Sequence, residues 1–362
     1  MKSSSELWPR LDEGSKAHAF AVRHFKGVTG LRPFPATPTT WSCATRVIGR
    51  GGDTIGIVRV VDPGQVKVSL IAQEFELAAL AGAAGIGPAA VGFQPSDGLM
   101  AMCYLPPDAG PVSSESRAAS FTFKLQALHH LRPTKPPLLW QWRQHALAQR
   151  FARARPWLPE DLLATGTLLA AIDSVLAGTE GPPASLTHGD LNPTNMIWSG
   201  GQGWLIDYDH AGWGDPLRDV ATLVIALRLT SHQEEELLAA SLRRTPLRHD
   251  WWRYRLFAVS VLLRYGLDVA TLRATASHVE HDPCELGPPP LPFDLVADEC
   301  IALERRLQHL SSGFLVAASQ ALQRWILTPT CDRCCTDSQA SQLAEPIKRW
   351  RQALRIALEA TC

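Results

Sequence analysis

The sequence lacks a surplus of either charge: its 362 residues carry 35 Lys and Arg against 35 Asp and Glu. A neutral chain has no long-range field to gather nucleic acid or an acidic membrane surface, so neither partner is expected. An uninterrupted apolar run of the length that spans a bilayer is missing as well. The first residues, Met1-Lys2-Ser3-Ser4-Ser5-Glu6, hold no apolar signal core, so a cytoplasmic location is expected. A disulfide framework is not expected. The eight Cys are scattered apart from Cys331, Cys334 and Cys335, and thiols so spaced in a chain of this size are expected to be reduced. Cys331-x-x-Cys334 is half a zinc site without a second pair to complete it. What is present is 46% hydrophobic residues, enough for a sizeable core and for two or three domain-sized units.

One stretch concentrates the chemistry: His188-Gly189-Asp190-Leu191-Asn192-Pro193-Thr194-Asn195, followed by Ile206-Asp207-Tyr208-Asp209. Between them lie the apolar run Met196-Ile197-Trp198, the glycine-rich Ser199 to Gly203, and the apolar run Trp204-Leu205-Ile206. That pattern predicts a β-hairpin. Asn195 then stands just before the first strand and Asp207 just after the second, at the same end of the ladder. Asp190 precedes them on a loop. An Asp, an Asn and an Asp thus converge on one small volume. They are hard oxygen ligands of the kind Mg²⁺ takes, with room left for water and phosphate oxygens.

This order and spacing resemble the catalytic core of the eukaryotic-like kinases, in particular the aminoglycoside phosphotransferase and choline/thiamine kinase-like family. The resemblance covers about residues 38 to 275 and implies an α+β, two-lobed protein-kinase-like fold. A small antiparallel-sheet N-lobe would precede a mainly helical C-lobe, with an extra helical C-terminal extension. It implies transfer of the γ-phosphoryl of ATP to a hydroxyl of a small molecule, with ATP and Mg²⁺ as cofactors. Asp190 would orient the hydroxyl and accept its proton, and Asn195 and Asp207 would hold Mg²⁺. Asp209 would hold a second Mg²⁺ or bond to loop amides. Protein kinases carry Arg before the catalytic Asp. Here that position is Gly189, which favours a small-molecule kinase. His188 and Asp219 are read as structural support. Asp219, in Asp215-Pro216-Leu217-Arg218-Asp219, would start the next helix and steady the catalytic loop.

The same resemblance assigns the nucleotide side. Arg59, in Ile57-Val58-Arg59-Val60, matches the strand base that pairs with the α- and β-phosphates. Glu74 is its expected partner on the helix that follows. Glu76 points about 200° away around that helix, so only one of the two can face Arg59. Gly49 to Asp53 joins two strands and reads as a simple turn. The nucleotide-covering loop is expected one strand earlier, near Thr40 to Thr45, which contains no Gly. There the backbone and the hydroxyl of Ser42 or Thr45 would meet phosphate. The backbone of Met102 to Tyr104, ahead of Pro106-Pro107, would meet the adenine edge.

The remaining expectations are coarser. Residues 1–37 read as a lead-in with a short helix at 17–25, 38–105 as the N-lobe, 106–276 as the C-lobe, and 277–362 as the extension. Ser113 opens a helix, with Ser114 or Ser116 as caps. Further helices are expected at 136–152, 158–178, 217–229, 233–243, 250–274, 296–325 and 343–360, with a linker at 277–292. Trp213 is read as either an acceptor wall or loop packing. Trp251 and Tyr254 share a helix face and are read as either core or an aromatic surface for a cationic acceptor. A choline- or thiamine-like amino alcohol is the favoured acceptor and an aminoglycoside the nearest alternative. A glycosyltransferase using Asp207-Tyr208-Asp209 leaves His188 to Asn195 unexplained. A kinase-fold binding module without catalysis is the reading from another class.

Overall fold

Alternating apolar side chains along residues 42 to 61 call for a sheet with two different faces, and that sheet organises the first half of the molecule. The computed structural model describes residues 14–33, 42–133, 158, 160–278, 318 and 337–359. They fall into two compact units. One joins the residues before 140 with Ser185–Gly214, and the other takes most of the rest. The expected helix at 136–152, most of the 277–292 linker, all but Ala318 of the helices at 296–325, and Cys331, Cys334 and Cys335 lie outside the described residues.

In the first unit, five antiparallel strands run in the order β1-β2-β3-β5-β4. They are β1 (Val28–Pro33), β2 (Ser42–Gly49), β3 (Thr54–Val61), β4 (Ala90–Gln94) and β5 (Leu99–Met102). Helix α1 (Lys16–His24) starts at Ser15, whose hydroxyl accepts the His18 N–H at 3.1 Å. It buries Ala17, Phe20 and Ala21 against Cys43, Val47, Val58 and Val60. Helix α2 (Val68–Ala83) meets side chains of the opposite alternation, Phe93 edge-on at 6.5 Å from Phe75 and Arg59 through Glu74. Val28–Pro33, read from sequence as lead-in, is the edge strand. Pro33 ends it on the side where a missing N–H is tolerated.

Helix α3 (Ser114–His130) is capped by Ser113 itself, which accepts the Ser116 N–H at 3.0 Å. The cap is therefore one residue ahead of the expected Ser114. Leu125, Leu128 and His129 are buried on one face of α3, as their spacing requires. Strands β6 (Ser185–Thr187) and β9 (Gly212–Gly214) pair, and they bracket a separate hairpin of β7 (Met196–Ser199) and β8 (Gln202–Leu205). Its turn residues Gly200 and Gly201 have φ of 60° and 72°. Two successive positive values are what a tight hairpin turn matching strand twist demands.

The second unit is helical: α4 (Glu160–Gly178), α5 (Pro216–Leu227), α6 (Ser231–Leu242), α7 (Arg248–His278) and α8 (Asp337–Glu359). Leu168, Ile172, Val259, Leu263 and Trp350 are buried together at its centre. The C-terminal helix α8 is thus part of this core, and its Trp350 indole N–H donates to Thr165 Oγ1 at 2.9 Å. Asp215 caps α5 by accepting the Leu217 N–H at 2.9 Å, with Pro216 at the first helical position. The expectation that Asp219 starts this helix is corrected by one turn. An Asp followed by Pro is the stronger start signal, and Asp219 lies buried within the first turn. Arg253 of α7 ties Asp215 (2.5 Å) and the Leu176 carbonyl (2.8 Å) together.

The turn between β4 and β5 gives a local test. Gly98 has φ of 69°, and a Cβ there would sit 1.8 Å from the Val61 carbonyl oxygen. Gly98→Ala is expected to cost at least ~2 kcal/mol through left-handed strain and that clash. A lowered urea midpoint measures it, and an unchanged midpoint contradicts this account of the turn.

Candidate active site

The hairpin does what its spacing promised. The Ile206 N–H donates to the Asn195 carbonyl at 3.0 Å, which closes the open end of the ladder and makes Asn195 and Asp207 neighbours. Asp207 has φ 65° and ψ 73°, a left-handed conformation uncommon for any residue but Gly and characteristic of functional turns. On the entering side, Gly189 has φ of 78°, where a side chain would be strained. His188 is wholly buried. Its Nε2 lies 2.9 Å from the Ile206 carbonyl oxygen, which only accepts, so Nε2 carries the proton. Its ring packs on Tyr208 at 5.1 Å. His188 therefore fastens the loop that bears Asp190 to the strand end that bears Asp207. The Tyr208 hydroxyl donates to the Leu205 carbonyl at 3.2 Å, and burial pushes its phenol well above the ordinary range.

Asp190 is held by two amides. Its Oδ2 accepts from Asn192 Nδ2 and from Asn195 Nδ2, both at 3.1 Å. Asn195 Nδ2 also donates to the Asp190 backbone carbonyl at 2.9 Å. With both amide protons directed at Asp190, it is the carbonyl oxygen of Asn195 that can meet a cation. His210 was not singled out from the sequence. Its Nε2 lies 3.9 Å from Asp190 Oδ2 and 3.6 Å from Asp209 Oδ1. Its place after Asp209 gave no signal, because the short helical turn that swings it back over Asp190 is set by the hairpin exit.

Arg59 joins this loop to the sheet. It lies on β3 between β2 and β5, so it is a central-strand residue and not an edge one. Its Nε pairs with Glu74, and its Nη2 lies 3.0 Å from Asp207 Oδ1 and 3.8 Å from Asp209 Oδ2. Burial works against the charge of Arg59, but Asp207, Glu74 and Asp209 outweigh it and hold the guanidinium above its ordinary value. Glu76, two residues along α2, is exposed, as the helical angle required. Glu74, Asp207 and Asp209 set three carboxylates against this one guanidinium, and Asp190 stands near His210. Such an excess of hard oxygen donors fits Mg²⁺. Among the described residues no three His, Cys, Asp or Glu side chains stand ready as a metal cluster. Glu74, Asp207 and Asp209 are gathered around Arg59 instead, and the amide oxygen of Asn195 is a further oxygen donor that a cation there could use.

Other expected residues fall in different places. Ser42 to Thr45 belong to strand β2 and not to a loop. The strand places Ala44 opposite Arg59, so Ser42 shares the Arg59 face while Thr45 alternates to the other. Thr45 is wholly buried, 3.7 Å from Cys43 Sγ, and cannot meet phosphate there. Burial raises the Cys43 thiol above its ordinary value, against the pull of Thr45 and Arg59. Residues 34–41, including Thr40, lie outside the described residues. Met102 ends β5 opposite Ile57, the Cys103 N–H is taken by the Ala89 carbonyl at 2.9 Å, and Tyr104 is half-buried. Trp213 pairs with Leu186, and the Arg132 guanidinium lies 5.6 Å from its ring centre, which favours packing over an acceptor wall. Trp251 and Tyr254 meet edge-to-face at 6.0 Å, but Tyr254 is buried and bonded to Glu234. That corrects the aromatic-surface reading, because the long helix turns Tyr254 into its own unit's core.

Comparison with known proteins agrees with this geometry. The model of the phosphotransferase enzyme family matches residues 45–257, more than half of the chain, and the chain belongs to that family. Its fold is kinase-like. A choline/ethanolamine kinase family protein from Mesorhizobium loti superposes with a TM-score of 0.55 at 17% identity, covering 91% of this chain and 94% of that one. Choline kinase LicA from Streptococcus pneumoniae does so with a TM-score of 0.50 at 15% identity, over 82% and 96%. The streptomycin–ATP ternary complex of APH(2'')-IIa gives 0.51 at 14% identity, over 76% and 99%. No curated protein matches the chain in sequence. The family and fold leave no place for a glycosyltransferase.

The Arg59 cluster makes a measurable statement about charge. In Arg59→Ala, Asp207 and Asp209 lose their internal counterion. Mn²⁺ binding without nucleotide, followed by electron paramagnetic resonance, is expected to tighten about fivefold, the scale of one ion-pair contribution. Equal Mn²⁺ affinity in the two proteins contradicts a shared charge cluster.

Proposed function

We propose that the protein transfers the γ-phosphoryl group of ATP to a hydroxyl of a small cationic molecule, with a choline- or thiamine-like amino alcohol favoured. The observation that carries this reading is the contact of Asp190 with Asn195 at 3.1 Å beside Asp207, which is itself ion-paired to Arg59. Asp190 holds the acceptor hydroxyl and takes its proton as the new O–P bond forms and the bond from the γ-phosphorus to the β,γ-bridging oxygen breaks, releasing ADP. Asn192 and Asn195 keep that carboxylate oriented throughout. Arg59 turns from the carboxylates to the α- and β-phosphate oxygens, while Glu74 holds its guanidinium in line. Asn195 and Asp207, with Asp209 beside them, would hold Mg²⁺, which when bound neutralises charge on the phosphates. The main chain of Met102 to Tyr104 receives the base. Most of the rate then comes from positioning and electrostatics. The cofactor assignment also draws support from a fold relative described as an ATP complex.

Three carboxylates around one guanidinium, with Asp190 as a further acid of the site, favour a cationic acceptor. That condition suits an aminoglycoside as well as an amino alcohol, so the aminoglycoside is the second reading. The buried Tyr254 removes one argument for an aromatic enclosure but leaves the electrostatic one intact. A binding module without catalysis is disfavoured because Asn195 already touches Asp190 and Asp207 is already paired with Arg59.

ATP consumption with Mg²⁺ against choline, ethanolamine, thiamine, homoserine, sugars and aminoglycosides tests the proposal. Turnover with one acceptor class is expected, and Asp190→Ala is expected to lower kcat by at least ~10². No turnover with any acceptor, together with no thermal stabilisation by Mg²⁺ and ATP, overturns it.

A further inference from the structure

The far end of the catalytic hairpin is gripped by a residue that neither the motifs nor the chemistry singled out. Asp108 lies just beyond the stretch Met102 to Tyr104, separated from it by Leu105-Pro106-Pro107. Its Oδ1 accepts the Gly200 N–H at 2.9 Å, its Oδ2 accepts the Gly201 N–H at 2.8 Å, and its own N–H donates to the Trp198 carbonyl at 3.1 Å. The two positive φ values of the turn aim successive N–H groups at one side, where a single carboxylate takes both. The other end of this hairpin, roughly 15 Å away at 3.3 Å per residue, carries Asn195 and Asp207.

We propose that Asp108 is a positioning residue that fixes the spacing between the base-reading strand end and the metal-bearing hairpin. The inference rests on the nucleotide reading of the site. Two prolines hold the intervening backbone at restricted φ, so the link from Met102 to Asp108 is stiff. The bidentate carboxylate makes the next link stiff, and the ladder of β7 and β8 transmits it to Asn195 and Asp207. A nucleotide that spans both ends has a fixed length from base to terminal phosphate. A scaffold that holds both ends at that separation binds it without reorganising. The hairpin has other supports, which do not reach the base-reading stretch. Ser120 Oγ of α3 accepts the Gly203 N–H at 2.8 Å, and Lys124 bridges the Gly85 carbonyl (2.5 Å) and Gln202 Oε1 (3.0 Å). Asp108 alone among these contacts joins the hairpin to the segment that follows β5.

The test is calorimetric titration of the full chain with ADP in Mg²⁺, ADP in EDTA, and AMP. Asp108→Ala is expected to reduce the Mg²⁺-dependent gain in ADP affinity about fivefold, the scale of one net solvent-exposed hydrogen bond. AMP affinity is expected to stay unchanged, because AMP does not span to the hairpin's metal ligands. Asp108→Asn, which keeps one acceptor oxygen, is expected to fall between. Ser120→Ala removes a hairpin bond of similar length without touching the base side, and it should leave the Mg²⁺-dependent gain intact even where it lowers thermal stability. A full Mg²⁺-dependent gain in Asp108→Ala overturns the positioning role alone. An equal loss in Ser120→Ala also overturns it, by showing that general loosening is enough. Wild-type protein that binds neither AMP nor ADP overturns the nucleotide reading and the positioning role together.

Discussion

Arg59 is one cation placed among acids that would otherwise repel one another. Glu74 comes from α2, Asp207 and Asp209 from the hairpin exit, and Arg59 from the middle of the sheet. Each element alone would leave a half-buried charge unmatched, which is far costlier than matching it. The helix, the sheet and the hairpin are therefore tied at one point. Arg suits that point better than Lys: its planar fork sets Nε beside Glu74 and Nη2 beside Asp207. The same fork can trade a carboxylate for a phosphate oxygen while keeping its hold on Glu74, so the arrangement that stabilises the site also prepares it to bind.

The hairpin shows how local strain is held in place. Asp207 adopts a left-handed backbone, and such conformations persist only where the surroundings determine them. Here the Ile206 N–H is fixed by Asn195, the Ile206 carbonyl by His188, and the carboxylate by Arg59. The strained residue is flanked on every side by bonds made by its neighbours. Asp190 has a similar dependence on Asn192 and Asn195. The two acids that matter most chemically make few decisions about their own geometry.

Sequence alone revealed those parts of the site where spacing and chemistry coincide. Asn195 stands against Asp190 and beside the strand end that leads into Asp207, as a hairpin that converts a separation of twelve residues into adjacency requires. A helix turns 100° per residue, so only one of Glu74 and Glu76 can face Arg59; the distance to the Gly85-Ile86-Gly87-Pro88 break points to Glu74, and the structure pairs Glu74. Ser42 to Thr45 were misread as a loop because their alternation is masked by small polar residues. Only pairing with β3 shows that Thr45 faces the core of α1. Val28–Pro33 was missed because Pro33, with Pro35 and Pro38 after it, argues against a strand unless it is known to be an edge. Tyr254 was ambiguous for a deeper reason. A three-residue spacing identifies a helix face but not what covers it, and Glu234 of α6 covers this one. His210 and Asp108 carried no signal at all, since each acts through a turn whose shape is decided elsewhere in the chain.

Gly189 bears on how such a site is kept active. Its φ of 78° disfavours the Arg that protein kinases place before their catalytic Asp. An Arg there is useful only if some added negative charge must call the loop into position. In this protein the loop is already assembled by neutral groups: two side-chain amides on Asp190 and a histidine N–H on a backbone carbonyl. Neutral hydrogen bonds inside a buried loop do not wait for a signal. The glycine thus leaves the loop without the basic side chain that would answer an added phosphate, and the loop's own hydrogen bonds hold Asp190 without one.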